Sequence, residues 1–172
     1  MVKPRIRLLI HNVRSAYNVG SLLRSAEGLA VEQVYLSGYT PYPSAAGDSR
    51  LPHLQQKISR RIDKTALGAQ DVLAWGHIKD PHKTLADLST QGFMVLALEQ
   101  TAEAKDLTSF RANKDCVLIV GNEVDGIDSE LLKIASQHLQ IPMLGHKESF
   151  NVAVAGAIAL YHLRFISPSV DK

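Results

Sequence analysis

The sequence predicts an α/β fold with a mostly parallel sheet and helices on both of its faces. Strand-like apolar runs alternate along the chain with segments of helical periodicity, which is the pattern of parallel βαβ units. The 172 residues are 45% hydrophobic, and this fraction is sufficient for a sizeable core. Because we find no internal repeat, low-complexity tract or linker, we expect a single domain over residues 1–172.

The first half of the chain is predicted to contain two strands and two helices. Residues 5–13 are apolar enough for a buried strand, and apolar residues at helical spacing follow over 18–28. A second strand is expected at 31–38. The proline-bearing segment 40–52 is predicted to be a loop, and a helix is expected around 64–70.

The second half continues the alternation. Asp80 and Pro81 are typical of a helix start, and Gly92 is typical of its end. Three more strands are predicted, at residues 93–98, 117–120 and 139–143. A helix is expected between the last two strands, at 128–137. The final segment, 152–165, is apolar on nearly every side and therefore predicts a largely buried helix.

Composition narrows the class of protein. The one cysteine, Cys116, excludes an intramolecular disulfide and favours a reducing compartment. No apolar run approaches membrane-spanning length and the start does not resemble a signal peptide, so we expect a cytoplasmic protein with no membrane partner. The seven histidines lack the spacing of a metal site, and no metal is expected. A formal net charge of +2 is compatible with RNA binding.

Three short stretches contain polar residues that a plain α/β core does not need. The first is residues 18–24, where Gly20 would allow a tight turn and Arg24 has the geometry to hold a phosphate. The second is Gly121-Asn122-Glu123, directly after a predicted strand, where ligands of α/β sheets bind. The third is residues 141–151, before the last helix. Taken singly, each has a simpler explanation: a surface arginine, a glycine-rich turn and a helix cap.

Taken together and in this order, the three stretches resemble the motifs of the SpoU/TrmH family of RNA ribose methyltransferases, within the knotted SPOUT class. The likeness covers about residues 5–165. Residues 18–24 look like the first motif and Gly121-Asn122-Glu123 like the second. Ile141-Pro142-Met143 with Ser149-Phe150-Asn151-Val152 looks like the third. The family usually has leucine or methionine where this chain has Phe150, which is still apolar and would pack near an adenine ring.

The resemblance implies S-adenosylmethionine-dependent methylation of a ribose 2′-hydroxyl in tRNA or rRNA. It also implies a trefoil knot in the C-terminal half, a feature that is rare among proteins, and a homodimer whose active sites straddle the interface. The cofactor would be held in a bent form, mainly by backbone groups of three loops. The residues of this chain at those loops are Leu98, Glu99, Gly121, Asn122, Ile141, Met143, Ser149 and Phe150.

The resemblance also places Arg24 of the partner subunit beside the reacting hydroxyl. Because an arginine is nearly always charged and is a poor base, we expect Arg24 to grip the adjacent phosphate and orient the hydroxyl. The phosphate or water would then help to accept the proton. Asn18 is expected to hold Arg24 or the ribose, and Glu123 to order the cofactor loop and offset the sulfonium charge. Ser149 and Asn151 are expected to fix the third loop.

Two further groups of residues are candidates for RNA contact. Four cations fall within eight residues, and they form either a solvated helix face or a phosphate-binding patch: Lys57, Arg60, Arg61 and Lys64. Tyr39 and Tyr42 lie in the proline-bearing loop and are candidates to stack on bases.

Three other functions would explain some of these sequence features, but not all of them. A knotted methyltransferase that acts on a base needs a group suited to a ring nitrogen, typically a carboxylate, and the Asn18 and Arg24 pair argues against it. A non-catalytic RNA-binding or assembly factor with this fold would not need Arg24 or Gly121-Asn122-Glu123, which are all present. A generic small-molecule-binding α/β protein explains the sheet but not the three motifs.

Overall fold

The computed structural model describes residues 3–166, and the strands in that range form one sheet. The strands are β1 (Ile6–His11), β2 (Gln33–Ser37), β3 (Trp75–Ile78), β4 (Met94–Leu98), β5 (Lys105–Asp106), β6 (Cys116–Val120) and β7 (Gln137–Gln140). The helices are α1 (Ala16–Gly28), α2 (Pro52–Ala66), α3 (Ala69–Val72), α4 (Pro81–Thr90), α5 (Ser129–Ile134) and α6 (Val152–Phe165), with a 3-10 turn at Leu107–Ser109.

The seven strands lie in the order β3-β2-β1-β6-β4-β7-β5, and every strand pair in the described range is parallel. The centre of the sheet is the pairing of β1 with β6, in which Leu8 lies opposite Leu118. All carboxyl ends therefore point to one edge, and the turns after β1 and β6 lie side by side there. The predicted fold class is confirmed, and the trefoil knot stays a prediction.

Side chains alternate between two hydrophobic layers, one on each face of the sheet. Ile6, Leu8 and Ile10 of β1 pack in one layer with α1, α2 and α6. Leu9 points the other way and packs with Val95 and with residues of α4 and α5. Because apolar side chains on both faces need cover, helices lie on both sides, as predicted. Cys116 of β6 is fully buried, and this burial raises the pKa of its thiol to about 12.

The predicted helix at 64–70 corresponds to the end of α2 and the start of α3, but α2 begins twelve residues earlier than predicted. The third proline of the presumed loop, Pro52, occupies the first helical turn, where its missing N–H has no cost. Gly20 also has a different role, because it lies inside α1 and not at a turn. A Cβ there would collide with the Ile62 carbonyl and the Thr65 hydroxyl of α2, so Gly20 lets the two helices approach closely.

The last strand, β7, starts earlier than the predicted 139–143, and α5 ends before 137. Ser136 explains the difference, because both its N–H and its hydroxyl donate to the Val95 carbonyl at 2.9 Å and draw the chain into the sheet. Strands β3 and β5 were not predicted, since they are short and only half-buried or exposed. Short polar strands carry little hydrophobic signal.

Helix α6 is apolar all round but is not buried all round, which corrects the prediction. Its inner face packs in the core, while four large apolar side chains at helical spacing are exposed by 37–55%. These residues, the α6 stripe, are Val154, Ile158, Tyr161 and Phe165. Such a stripe is typical of a helix that packs against another molecule. No helix in residues 3–166 is long and apolar enough to cross a membrane.

Candidate active site

A cavity of about 460 Å³ lies beyond the carboxyl ends of β4, β6 and β7. Its volume is within the range of roughly 300–1,000 Å³ that is usual for small-molecule sites. Three segments form its walls: residues 98–100 at the end of β4, residues 120–124 at the end of β6, and the chain from β7 to the start of α6. We call it the acidic cavity, because Glu99, Glu123 and Glu148 line it. Its position is the one at which ligands of parallel sheets bind.

The three predicted motifs meet beside this cavity through two side-chain hydrogen bonds. The Asn18 amide donates to a carboxylate oxygen of Glu123 at 2.9 Å. The Asn151 amide donates to the side-chain oxygen of Asn18 at 3.1 Å. One residue of each motif therefore takes part in a single chain of contacts, although Asn18 and Asn151 are 133 positions apart in the sequence.

Glu123 connects the loop after β6 to the start of α1. Its carboxylate also accepts from the backbone N–H groups of Arg14 at 3.1 Å and Ser15 at 3.3 Å. Partial burial by itself would raise the pKa of Glu123, but the hydrogen bonds from Arg14, Asn18 and Ser15 outweigh it and the pKa is lowered. Glu123 is therefore ionised at neutral pH, and its negative charge lies at the rim of the cavity.

Asn122 shapes the loop after β6 from within. Its side-chain oxygen accepts from the N–H groups of Val124 at 2.7 Å and Asp125 at 2.8 Å. Its amide nitrogen donates to the Asn12 carbonyl at 3.0 Å and to the Tyr39 hydroxyl at 2.7 Å. With these four contacts made inside the protein, Asn122 acts on a ligand by positioning the loop, and not by offering its amide.

Glu99 supports the same loop from the side of β4. Its carboxylate accepts from the Ile127 N–H at 2.9 Å and the Gln100 N–H at 3.1 Å. A Cβ at Gly126, where φ is +72°, would collide with that carboxylate. Gly126 is therefore required both by its left-handed backbone and by the close approach of Glu99. Gln100, which the sequence did not single out, donates to the Glu148 carbonyl at 2.8 Å and holds the third loop.

The acidic cavity combines negative charge with apolar walls. Glu99, Glu123 and Glu148 line it, and no lysine, arginine or histidine is among the described lining residues. The apolar part of the lining is Leu98, Val120, Val124, Leu139, Ile141, Phe150, Val152 and Ala155. Carboxylates favour a ligand with positive charge, and apolar walls favour a flat uncharged ring beside it.

This geometry agrees with the comparison of the chain with known proteins. Residues 5–161 match the profile of the SpoU rRNA Methylase family. The chain belongs to the SpoU family. The family that the motifs predict is confirmed, and the matched range contains all three motifs.

Two curated relatives illustrate what SpoU proteins do. The chain is 27% identical, over 87% of its length and 64% of the relative's, to the tRNA (guanosine(18)-2′-O)-methyltransferase of Aquifex aeolicus. It is 28% identical, over 91% of its length and 57% of the relative's, to the 23S rRNA (guanosine(2553)-2′-O)-methyltransferase RlmP of Bacillus subtilis. The chain spans less than two thirds of the length of either relative.

A solved structure shows the same fold. The AdoMet-bound rRNA methyltransferase from Sinorhizobium meliloti superposes with a TM-score of 0.79 over 97% of this chain and 58% of that chain. The two sequences are 22% identical, so this likeness concerns the fold.

Most of the predicted cofactor residues line the acidic cavity of this SpoU chain. They are Leu98, Glu99, Gly121, Asn122, Ile141, Ser149 and Phe150. Met143 is the exception, because it is half-buried beyond Ile141 and is not among the lining residues. Asn151 caps α6 by accepting from the Ala153 N–H at 2.9 Å. Ser149 lines the cavity and makes no hydrogen bond to another residue of 3–166.

Arg24 lies away from the acidic cavity of its own chain. It is exposed on α1, six residues after Asn18 and so about 9 Å further along the helix axis. It does not line the cavity, and it makes no hydrogen bond within the described range. The structure therefore leaves its guanidinium open to a group from outside this chain.

The four predicted RNA-binding cations lie on one face of α2, because their spacing is i, i+3, i+4 and i+7. All are exposed on α2, but Arg61 lines a cavity with Tyr39 and Tyr42, while Arg60 lines another. Consecutive residues of a helix point about 100° apart, so Arg60 and Arg61 lie at the two margins of this face and reach different cavities. Lys57 and Lys64 line neither cavity.

A serine, a histidine and an aspartate are aligned at the end of β1, although no sequence motif indicated them. His11 contacts the Ser37 hydroxyl and the Asp128 carboxylate, each at 2.7 Å. Ser37 is fully buried and His11 is 6% exposed, so no substrate reaches the hydroxyl. We interpret this cluster as a support for the turns at the carboxyl edge, and not as a nucleophile site.

Proposed function

We propose that this protein transfers a methyl group from S-adenosylmethionine to a ribose 2′-hydroxyl of RNA. The observation that carries the proposal is the meeting of Asn18, Glu123 and Asn151 beside an acidic cavity in a SpoU chain. The two curated relatives, by their names, methylate the 2′-oxygen of a guanosine in tRNA and in rRNA, which supports this chemistry.

The residues of the acidic cavity suit S-adenosylmethionine. The cofactor supplies a methyl group that is already activated by the positive charge of its sulfonium. Glu123, Glu99 and Glu148 place negative charge around the ligand, which favours its sulfonium and amino groups. The apolar walls and the Phe150 ring, which is 42% exposed, offer a surface for the adenine. Neutral apolar ligands would not benefit from the three carboxylates.

The α6 stripe supports a homodimer with a second copy of this chain as the partner. Val152 and Ala155 at the start of α6 line the acidic cavity, and the stripe begins at Val154 between them. A second copy packed along the stripe would therefore lie beside the cavity. Burying these four side chains is favourable by about 25 cal/mol for each Å² of apolar surface.

The dimer gives Arg24 its role. Helix α1 packs against α6, so a partner on α6 would bring its own exposed Arg24 toward the neighbouring cavity. There the guanidinium would hold the phosphate next to the target ribose with two hydrogen bonds and orient the 2′-hydroxyl. Alignment of this kind contributes roughly 7–11 kcal/mol to a methyl transfer whose donor is already activated. The hydroxyl proton would pass to the phosphate or to water.

The experiment that tests the proposal uses methyl-labelled S-adenosylmethionine with separate pools of unmodified tRNA and rRNA. The RNA is digested and the labelled nucleoside is identified by mass spectrometry. We expect label on a ribose, and its loss in Arg24→Ala. Lys83→Ala, which removes an exposed cation on the opposite face of the sheet, is the matched control and should keep the label.

Two results would contradict the proposal. Label on a base would assign the protein to a different class of knotted methyltransferase. No label in either pool, together with no binding of S-adenosylmethionine by calorimetry, would favour an RNA-binding factor without catalysis.

A further inference from the structure

A second cavity, also of about 460 Å³, lies beyond the carboxyl ends of β1, β2 and β3. Its charge is opposite to that of the acidic cavity. Arg14, Arg50, Arg61 and His77 line it, and no aspartate or glutamate is among its described lining residues. We call it the basic cavity. Because β1 lies next to β6 in the sheet, the two cavities are neighbours along one edge.

Two of the three arginines are available to a ligand. Arg50 is not, since it is paired with Asp48 and donates to the carbonyls of Tyr42 and Pro43. Arg61 is exposed and makes no hydrogen bond within residues 3–166. The side chain of Arg14 is 61% exposed, and its ion pair with Asp125, at 3.3 Å, is exposed on both sides. The neighbouring Tyr39 hydroxyl raises the pKa of Arg14, so its guanidinium lies beside the Tyr39 side chain. Exposed pairs of this kind are weak and exchange readily for a phosphate.

The two tyrosines of the basic cavity differ in what they offer. The Tyr42 ring stacks on His77 at 4.2 Å between ring centroids, and the Arg50 guanidinium lies 3.5 Å from its centroid. Both faces of Tyr42 are thus covered, and its ring is part of the wall. Tyr39 is 56% exposed, so its ring is open to a stacking partner. Of the two tyrosines that the sequence indicated, the structure favours Tyr39.

Tyr39 is also held firmly. Its hydroxyl accepts from the Asn122 amide at 2.7 Å, and its N–H donates to the side-chain oxygen of Asn12 at 3.2 Å. The preceding residue, Gly38, has a φ of +66°, and a Cβ there would collide with the Asn12 side chain. The ring is therefore presented in a fixed position at low cost in conformational entropy, which is the arrangement that aromatic stacking platforms use.

We propose that the basic cavity binds one nucleotide of the RNA, next to or near the nucleotide that is methylated. Arg14 and Arg61 hold its phosphate, and its base stacks on Tyr39. This inference rests on the proposed function, because it assumes that the substrate is RNA. The site is connected to the acidic cavity through two residues, since Arg14 binds Glu123 with its N–H and Tyr39 binds Asn122.

The test compares variants of the full chain in direct RNA binding, with the pool that accepts label as the probe. Tyr39→Leu removes the ring, and a stacked base contributes roughly 1–3 kcal/mol, so the Kd for RNA should rise roughly 5- to 150-fold. Tyr39→Phe keeps the ring and should retain most of the affinity. Arg61→Gln should raise the Kd and reduce the salt dependence of binding by about one phosphate contact. Lys83→Gln, on the opposite face of the sheet, should change neither.

S-adenosylmethionine binding, measured by calorimetry, shows whether each variant keeps its fold and its acidic cavity. Loss of RNA affinity with retained cofactor affinity is the expected result. Unchanged RNA affinity in both Tyr39→Leu and Arg61→Gln, with an active wild type, would overturn this inference and leave the proposed function intact. If these variants lost cofactor affinity and kept RNA affinity, the inference would also be overturned. The basic cavity would then serve only to support the loop after β6. A wild type that binds and methylates no RNA would refute the proposed function as well.

Discussion

The acidic and basic cavities occupy two halves of one sheet edge, yet they are built differently. The acidic cavity is shaped by carboxylates that accept backbone N–H groups, as Glu99 and Glu123 do. The basic cavity is shaped by stacked side chains, such as Tyr42 between Arg50 and His77. The strands beneath both halves are parallel and belong to the same sheet. The difference shows that the loops, and not the sheet, determine which ligand each half can bind.

Asn122 connects the two halves, and its removal should have the largest effect. Asn122→Ala removes four hydrogen bonds from a side chain that is 7% exposed. We expect a loss of about 2–4 kcal/mol in the free energy of unfolding, measured by denaturant titration, and weaker binding of both cofactor and RNA. Asn113→Ala, at an exposed position, is the control and should be neutral. A variant of Asn122 with wild-type stability and affinities would disprove the connection.

A pair of glycine variants should affect the acidic cavity without affecting the basic cavity. The expected effect is smaller than that of Asn122→Ala. Gly126 and Gly47 both have positive φ, at +72° and +77°, but only Gly126 faces a neighbour, the Glu99 carboxylate. Gly47→Ala should cost about 1–2 kcal/mol of stability from backbone strain alone. Gly126→Ala should cause the same backbone strain and should also displace the Glu99 carboxylate. We therefore expect about tenfold weaker S-adenosylmethionine binding by calorimetry, with unchanged RNA affinity. Equal cofactor affinity in the two variants would show that Glu99 does not shape the acidic cavity.

The smallest expected effect is on the pH dependence of stability. The pKa of Glu123 is lowered from 4.5 in the folded protein, so its carboxylate stabilises the fold above pH 4.5. This contribution is lost as the pH falls below 4.5, because protonation is less unfavourable in the unfolded chain. In melting experiments from pH 7 to pH 3, the difference in Tm between wild type and Glu123→Gln should therefore shrink on acidification. Glu103→Gln, an exposed control, should show no such trend, and a constant difference for Glu123→Gln would refute the assignment.

Much of the fold followed from local patterns. The alternation of apolar strands with helices predicted the parallel sheet, and Asp80 with Pro81 predicted the start of α4, where Asp80 accepts from the Lys83 N–H. The same patterns failed where a residue or segment is typical of two different structures. Pro52 is as typical of a loop as of a first helical turn, and an apolar helix such as α6 has the same composition whether its outer face meets the core or a partner.

The three motifs were sufficient to predict the family and most of the cofactor residues that line the acidic cavity, because short motifs keep their spacing and lie next to predicted strands. Which of these residues touch depends on the three-dimensional arrangement of the strands. Glu123 meets the Arg14 N–H across 109 positions, and Asn122 reaches Tyr39 across 83, since β6 lies beside β1 in the sheet. The order of strands, and hence the pairing of loops at the carboxyl edge, depends on how the helices cover both faces of the sheet. No local pattern in the chain contains that information.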